Sequence, residues 1–391
     1  MEYSFDQAVA QHAASAKWSA YREKGSYFEC IPMWVADMDF AVAPMIASAI
    51  QERAALPIYG YTQITEEYRT SIVNWMKNRH DAHVEADWIV PIPGVVPAID
   101  AAILTLTRPG DRVLLHTPVY FPFYASIENN GRHVVSSSLI LGEEGASIDF
   151  QDFETKLKQV QAFILCNPHN PTGKVYTKEE LEKIAMLCRE NDVAIIADEI
   201  HHDLLYSETT FTSILNVATV DRSRLVFVSA PSKTFNIAGL AAAHFILPDE
   251  ELRKAIQKTQ QCVGTTSLNA FAIAGSQAAY RHGAEWNRQC MAYIENNRDQ
   301  AIREIRTNMP QIRVMRPQGT YFLWLDCRAL GMPADRIDSF FLEKAKIRFN
   351  PGAPFGKEGI GFVRMNIACT NETLHRALLQ MHTALREREG K

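Results

Sequence analysis

No apolar run in this chain approaches the roughly 20 residues that a membrane-spanning helix needs. A membrane protein is therefore not expected. The first residues, Met1 to Asp6, carry no basic region followed by an apolar run, so a signal peptide is not expected either. Basic excess is also lacking. Lys and Arg total 40 against 45 Asp and Glu, a net charge of −5, which gives no basic face for nucleic acid. The seven cysteines, at 30, 166, 188, 262, 290, 327 and 369, are odd in number and contain no Cys-x-x-Cys pair. Neither a zinc site nor a disulfide framework is indicated, and reduced thiols point to the cytoplasm. His201, His202 and Asp203 do not make a metal site, because adjacent histidines point apart and no fourth ligand is evident. Repeats, low-complexity linkers and heptads are absent.

What remains is a chain of 391 residues, 47% hydrophobic and 22% charged, an ordinary globular composition long enough for one large and one small domain. From about residue 88 to residue 247, hydrophobic strands alternate with amphipathic helices. Strands are expected near 88–92, 112–116, 131–135, 163–166, 193–197, 225–229 and 243–247. Helices with apolar faces lie between them. One carries Ala98, Ile99, Ala102, Ile103 and Leu106. Another starts at the capping box Thr177-Lys178-Glu179-Glu180 and turns Leu181, Ile184, Ala185 and Cys188 inward. This alternation predicts an α/β domain with a mostly parallel sheet of about seven strands. Its ligands should sit at the carboxyl ends of the strands. The C-terminal part changes rhythm. A long helix over 283–306, strands over 319–325 and 361–367, and an amphipathic helix over 371–389 read as a smaller α+β domain.

Four strand ends carry distinct chemistry. Leu225–Ser229 runs into Ala230-Pro231-Ser232-Lys233 and delivers an amine. Ile195-Ile196-Ala197-Asp198 delivers a carboxylate. Phe163–Cys166 runs into Asn167-Pro168-His169-Asn170-Pro171-Thr172-Gly173 and delivers an amide. Val113–Thr117 runs into Pro118-Val119-Tyr120 and delivers an aromatic ring. An amine forms a Schiff base with an aldehyde. Amine, carboxylate, amide and ring together are the parts needed to hold pyridoxal 5′-phosphate.

From about Ile31 to about Thr370, the chain resembles the fold-type I pyridoxal-phosphate enzymes of the aspartate aminotransferase superfamily. Within it, the chain most resembles the MalY/PatB-type carbon–sulfur lyases, or cystathionine β-lyases. The narrower likeness rests on Pro32-Met33-Trp34-Val35-Ala36-Asp37-Met38-Asp39-Phe40, Tyr59-Gly60-Tyr61, the Asn167–Gly173 turn, Asp198-Glu199-Ile200-His201, and Ser232-Lys233-Thr234-Phe235-Asn236-Ile237-Ala238-Gly239.

The resemblance implies a large cofactor domain over 46–285, a small domain over 286–391, and an N-terminal segment, 1–45, packed on the small domain. It implies that Lys233 holds the cofactor and then acts as base for the Cα proton. Asp198 would pair with the pyridine nitrogen, Asn170 would meet the ring's phenolic oxygen and the substrate carboxylate, and Tyr120 would stack on the ring. Gly94-Val95-Val96, opening a helix with Pro97 in its first turn, would take the phosphate on backbone amides, with Ser232 adding a hydroxyl. Tyr61 would reach the phosphate of a neighbouring subunit in a homodimer with shared sites. Arg364, mid-strand among apolar residues, would grip the substrate α-carboxylate, helped by the backbone at Val35-Ala36. Trp34, Phe121 and Tyr321 would line the side-chain pocket.

Two positions depart from aspartate aminotransferases: His201 stands where they carry a tyrosine, and Ala241 where they carry an arginine. The reading that follows is β-elimination from L-cystathionine or other cysteine S-conjugates. An aminotransferase with the same residues is the first alternative. A protein-binding regulator is the second, since some relatives of this branch have that role.

Overall fold

The structure, a computed structural model, describes residues 2–7, 15–19 and 30–390. Parts of the N-terminal segment, 8–14 and 20–29, lie outside the described residues. Seven strands form the main sheet: β1 (Ile89–Ile92), β2 (Arg112–Thr117), β3 (His133–Ser138), β4 (Ala162–Cys166), β5 (Ala194–Asp198), β6 (Leu225–Ser229) and β7 (Ala243–Ile246). Their order is β1-β7-β6-β5-β4-β2-β3. Strands β3, β2, β4, β5 and β6 pair in parallel. Strand β7 runs antiparallel to both its neighbours, so the sheet is mixed. The link from β6 to β7 holds only a four-residue helix and a short 3-10 turn, and the chain folds straight back instead of crossing over behind a long helix.

The strands are buried on both faces, and alternate residues divide the core in two. Val113, Leu115, Ile164, Ile196, Val226 and Val228 join one cluster, with Ala98, Ile99, Ala102 and Ile103 of the helix Val95–Leu106. Leu114, Phe163, Leu165, Ile195, Ala197 and Phe227 join the other, with Leu181, Ile184, Ala185 and Cys188 of the helix Lys178–Glu190. Thr177 and Glu180 complete the capping box expected for that helix. Helices therefore cover both faces, and the residues after β1, β2, β4, β5 and β6 converge at one edge.

The smaller sheet is antiparallel and joins Arg313–Met315, Phe322–Asp326, Phe362–Asn366 and Asn350–Pro351 in that order. Its second strand starts at Phe322 and not at Gly319, because Thr320 takes φ +68° and turns the chain. Likewise β3 starts at His133, since Gly131 adopts φ +74°. Ile31–Pro32 pairs in parallel with Ile347–Arg348, which lays the N-terminal segment against this sheet's neighbours. No described helix is long and apolar enough to cross a membrane.

Gly173 closes the loop after β4. It has φ +69°, and a Cβ there would lie 2.4 Å from Pro317 Cβ and 2.8 Å from the Gly319 carbonyl oxygen. Its own carbonyl accepts from the amides of Gln318 and Gly319, joining this loop to the approach of the smaller sheet. Gly173→Ala should cost roughly 2–4 kcal/mol through the left-handed backbone and the overlap together. Denaturant unfolding measures this, and an unchanged midpoint would contradict the close approach.

Candidate active site

The convergent strand ends surround a cavity of about 180 Å³. Its walls include Ala36, Gly94, Val95, Val96, Tyr120, Asn170, Asp198, His201, Ser232 and Lys233. Ten residues singled out from the sequence therefore meet in one place. Arg364 and Tyr61 are not among these walls, although Arg364 bonds Asn170, which is. Tyr61 is fully exposed and lines a separate surface groove with Tyr59, Pro93 and Phe271. The two hollows share Ala241. Ala241 takes φ +52° and brings no cation to the phosphate end.

Lys233 sits in the four-residue helix Pro231–Thr234 that follows β6. Its Nζ donates to the Ala36 carbonyl at 2.8 Å, and the Tyr321 hydroxyl donates to the same oxygen at 2.8 Å. Burial, with help from the Arg364 charge, holds this amine below its usual value, while Asp37 and Asp198 pull the other way. A lowered amine is more often neutral and so more nucleophilic. Asp198 ends β5, is buried, and accepts from the Ile200 amide at 3.1 Å. Burial pushes its carboxyl up to about 7. Such a carboxylate is short of a cation, which is what a protonated pyridine nitrogen supplies.

Gly94 has φ +114° and caps the helix Val95–Leu106, whose first amides have no partner within the helix. Gly94, Val95 and Val96 line the cavity, and free amides at a helix start suit a phosphate. His201 is buried against Tyr321 and Phe322. Desolvation and the nearby Lys233 and Arg364 charges hold its imidazole well below the ordinary range, and its Nδ1 has no partner.

Arg364 lies in the strand Phe362–Asn366 and is buried. Its Nη1 donates to Asn170 Oδ1 at 2.8 Å and its Nη2 to the Trp34 carbonyl at 3.0 Å. The guanidinium lies 4.0 Å from the Phe322 ring centroid, and its Nε is unpartnered. Among the described residues it forms no ion pair, so it is a buried cation awaiting an anion.

The Met33–Phe40 stretch is positioned by amide side chains that the sequence reading did not assign. Asn366 Nδ2 donates to the Val35 and Asp37 carbonyls and Asn350 Nδ2 to the Trp34 carbonyl. Asn236 donates to the Met38 and Phe40 carbonyls and accepts from the Met38 amide. Only Asn236, within the quoted lysine motif, left a trace in the sequence. Trp34, Phe121 and Tyr321, expected in a side-chain pocket, are not among the cavity walls. Tyr321 instead supports the Ala36 carbonyl.

The histidine pair separates as expected: His201 faces the cavity and His202 does not. His202 and Asp203 instead meet His80. His80 Nε2 lies 2.9 Å from Asp203 Oδ1, while Trp75 Nε1 and Thr234 Oγ1 donate to Oδ2 at 3.1 and 2.9 Å. Both carboxylate oxygens are thus taken by protein groups.

This arrangement, an amine and a buried carboxylate at adjacent strand ends below a helix N-terminus, defines the pyridoxal-phosphate class of α/β enzymes. The comparisons agree. The chain belongs to the class I and II aminotransferase family, whose model matches residues 29–380. It is 39% identical over 373 residues to the cystathionine β-lyase PatB of Bacillus subtilis, covering 95% of this chain and 96% of that protein. Its structure is similar to that of cystalysin from Treponema denticola, which contains pyridoxal 5′-phosphate (TM-score 0.95, 32% identity, 99% and 100% of the two chains covered). It is also similar to a pyridoxal-phosphate-bound putative aminotransferase from Clostridium difficile (TM-score 0.94, 38% identity, 98% and 100% covered).

Asp198 gives a test of the site before any cofactor binds. Its folded carboxyl titrates near 7 against an ordinary 3.8. A folded value above the unfolded one costs stability, with no cost below the unfolded value and the full cost above about pH 7. Cofactor-free Asp198→Asn should therefore melt above the wild type at pH 8, with the gain shrinking as the pH falls toward 5. Equal melting temperatures across that window would show that Asp198 is not a desolvated carboxylate.

Proposed function

We propose that this protein is a pyridoxal-phosphate-dependent carbon–sulfur β-lyase that cleaves L-cystathionine or related cysteine S-conjugates to a thiol, pyruvate and ammonia. The observation that carries the reading is the pairing of Lys233 with the Arg364–Asn170 contact around a cavity whose only lining cation, among the described residues, is Lys233. Lys233 would hold the cofactor, which when bound would supply an electron sink for the pair left when the Cα proton departs. Asp198 would keep its ring nitrogen protonated, and Gly94, Val95, Val96 and Ser232 would hold its phosphate.

The chain's own groups do the rest. Arg364 takes the substrate α-carboxylate by a charge-assisted contact, which orients the Cα–H bond. Lys233 Nζ, once released, takes that proton. A β-thiolate then leaves. The absence of a second cation on the walls fits a thioether side chain of no net charge, such as the zwitterionic tail of cystathionine, better than the anionic side chain of aspartate or glutamate. The family match and the Clostridium difficile relative favour aminotransfer as the rival reading. Against it stand His201 and Ala241 in place of the tyrosine and arginine of aspartate aminotransferases.

The same reading makes the protein a cytoplasmic homodimer. Leu56, Ile58, Tyr59 and Tyr61 form an exposed apolar run in the single chain, and such runs mark interfaces. Tyr61 would serve the phosphate end of a second copy.

L-Cystathionine should yield pyruvate without added keto acid, and aspartate should react poorly even with 2-oxoglutarate. Strict dependence of every thioether on a keto acid would make the protein an aminotransferase. Borohydride should bleach the yellow protein and trap the label on Lys233. Arg364→Ala removes a charge-assisted contact worth about 1.5–3 kcal/mol, so kcat/KM should fall roughly tenfold or more. Co-expressed Lys233→Ala and Tyr61→Ala subunits should form heterodimers that recover one site in two. A verified heterodimer without recovery would place Tyr61 outside the partner's site.

A further inference from the structure

The turn that presents Lys233 is short and has little regular structure of its own. A four-residue helix forms too few internal hydrogen bonds to hold its shape, so its neighbours must position the amine. On the cavity side, Ser232 and Lys233 line the hollow. On the far side, Thr234 is fully buried and donates to Asp203 Oδ2 at 2.9 Å. Phe235 follows in an aromatic box of Trp75, Tyr280 and Trp286. Gly283 leaves room for that ring, since a Cβ there would lie 2.3 Å from it.

Asp203 is itself buried, and it is anchored from a third element. Trp75 and His80 both belong to the helix Glu66–His80, and both bond its carboxylate. His202 Nε2 lies 3.3 Å away, and the His80 and His202 rings are 4.2 Å apart. The loop that starts at Asp198 thus carries the expected partner of the ring nitrogen at one end and the anchor of the lysine turn at the other.

We propose that Asp203 is a positioning residue for Lys233, acting through the Thr234 hydroxyl, so that one rigid loop sets the lysine amine against the cofactor ring. A buried carboxylate holds a hydroxyl more tightly than a neutral acceptor does, because the bond is charge-assisted in a low-dielectric site. Proton transfer is sensitive to placement, and an error of about 1 Å can cost about a hundredfold.

The inference rests on Lys233 as cofactor lysine and base, as proposed above, but not on the thioether as substrate. The test compares holoenzymes of the wild type, Thr234→Val, Thr234→Ser and Asp203→Asn by two readouts. One is the rate at which L-alanine exchanges its Cα proton for deuterium in D2O. Alanine has no leaving group, so this step is common to lyase and aminotransferase. The other is the absorbance titration of the lysine–cofactor imine in the resting protein. Thr234→Val and Asp203→Asn should slow exchange roughly tenfold or more while the KM for alanine stays within about twofold, because the Arg364 grip is untouched. Their imine titration should shift away from the wild-type midpoint, because a displaced lysine changes the contacts around the imine. Thr234→Ser should restore both.

Wild-type exchange and an unmoved titration in folded Thr234→Val would overturn the proposal, as would failure of Thr234→Ser to restore them. If Thr234→Val gives no soluble protein, Thr234→Ala is read by the same criteria. A wild type that exchanges alanine but yields no pyruvate from thioethers refutes the lyase reading and leaves this inference standing.

Discussion

The Arg364 guanidinium is the contact on which the site depends. It sits on the smaller sheet, donates to Asn170 in a loop of the larger one, and donates to Trp34 in the N-terminal segment. Three separate parts of the chain are drawn to one buried positive charge. Burying a charge without an opposite partner is costly. The fold offsets that cost only in part, with an amide oxygen, a carbonyl and the Phe322 face, which leaves the cation ready for a carboxylate.

A similar economy appears at Asp198. Its carboxyl is buried at the end of a central strand with one backbone donor, and on the proposed function a cationic ring would complete it. An acid and a base are therefore both buried near one cavity, each undersupplied with partners. Lys233 feels both groups and rests its amine on the Ala36 carbonyl. Stored desolvation of this kind is common at functional sites. It explains why so many potential ligands surround a space with few other uses.

The order of elements explains why the charges meet. Strands running in parallel bring their carboxyl ends to one edge, so residues from the loops after β1, β2, β4, β5 and β6 share a cavity although Gly94 and Lys233 are far apart in sequence. The reversal of β7 places the lysine turn between two strands with no long helix intervening. That turn must then be braced from outside, and the helix Glu66–His80 supplies the brace through Trp75, His80 and Asp203.

Much of this was legible in the residues alone. Buried strands read as apolar runs, and the residue types at their ends declare their chemistry because Lys, Asp, Asn and Tyr seldom follow such runs together without a ligand to hold. Helix faces and the Thr177 capping box were legible for the same local reason, since periodicity and capping depend on neighbours within a few residues. Contacts between distant segments were not. Nothing in the spacing of Asn236, Asn350 and Asn366 says that they grip one stretch of backbone, or that Asp203 answers Thr234. Nor does it say that Tyr61 lies outside its own chain's cavity. Local physics fixes which elements form and what each loop carries. Which distant side chains bond one another is decided only when the sheet brings them within about 3.5 Å, because a hydrogen bond is lost beyond that separation.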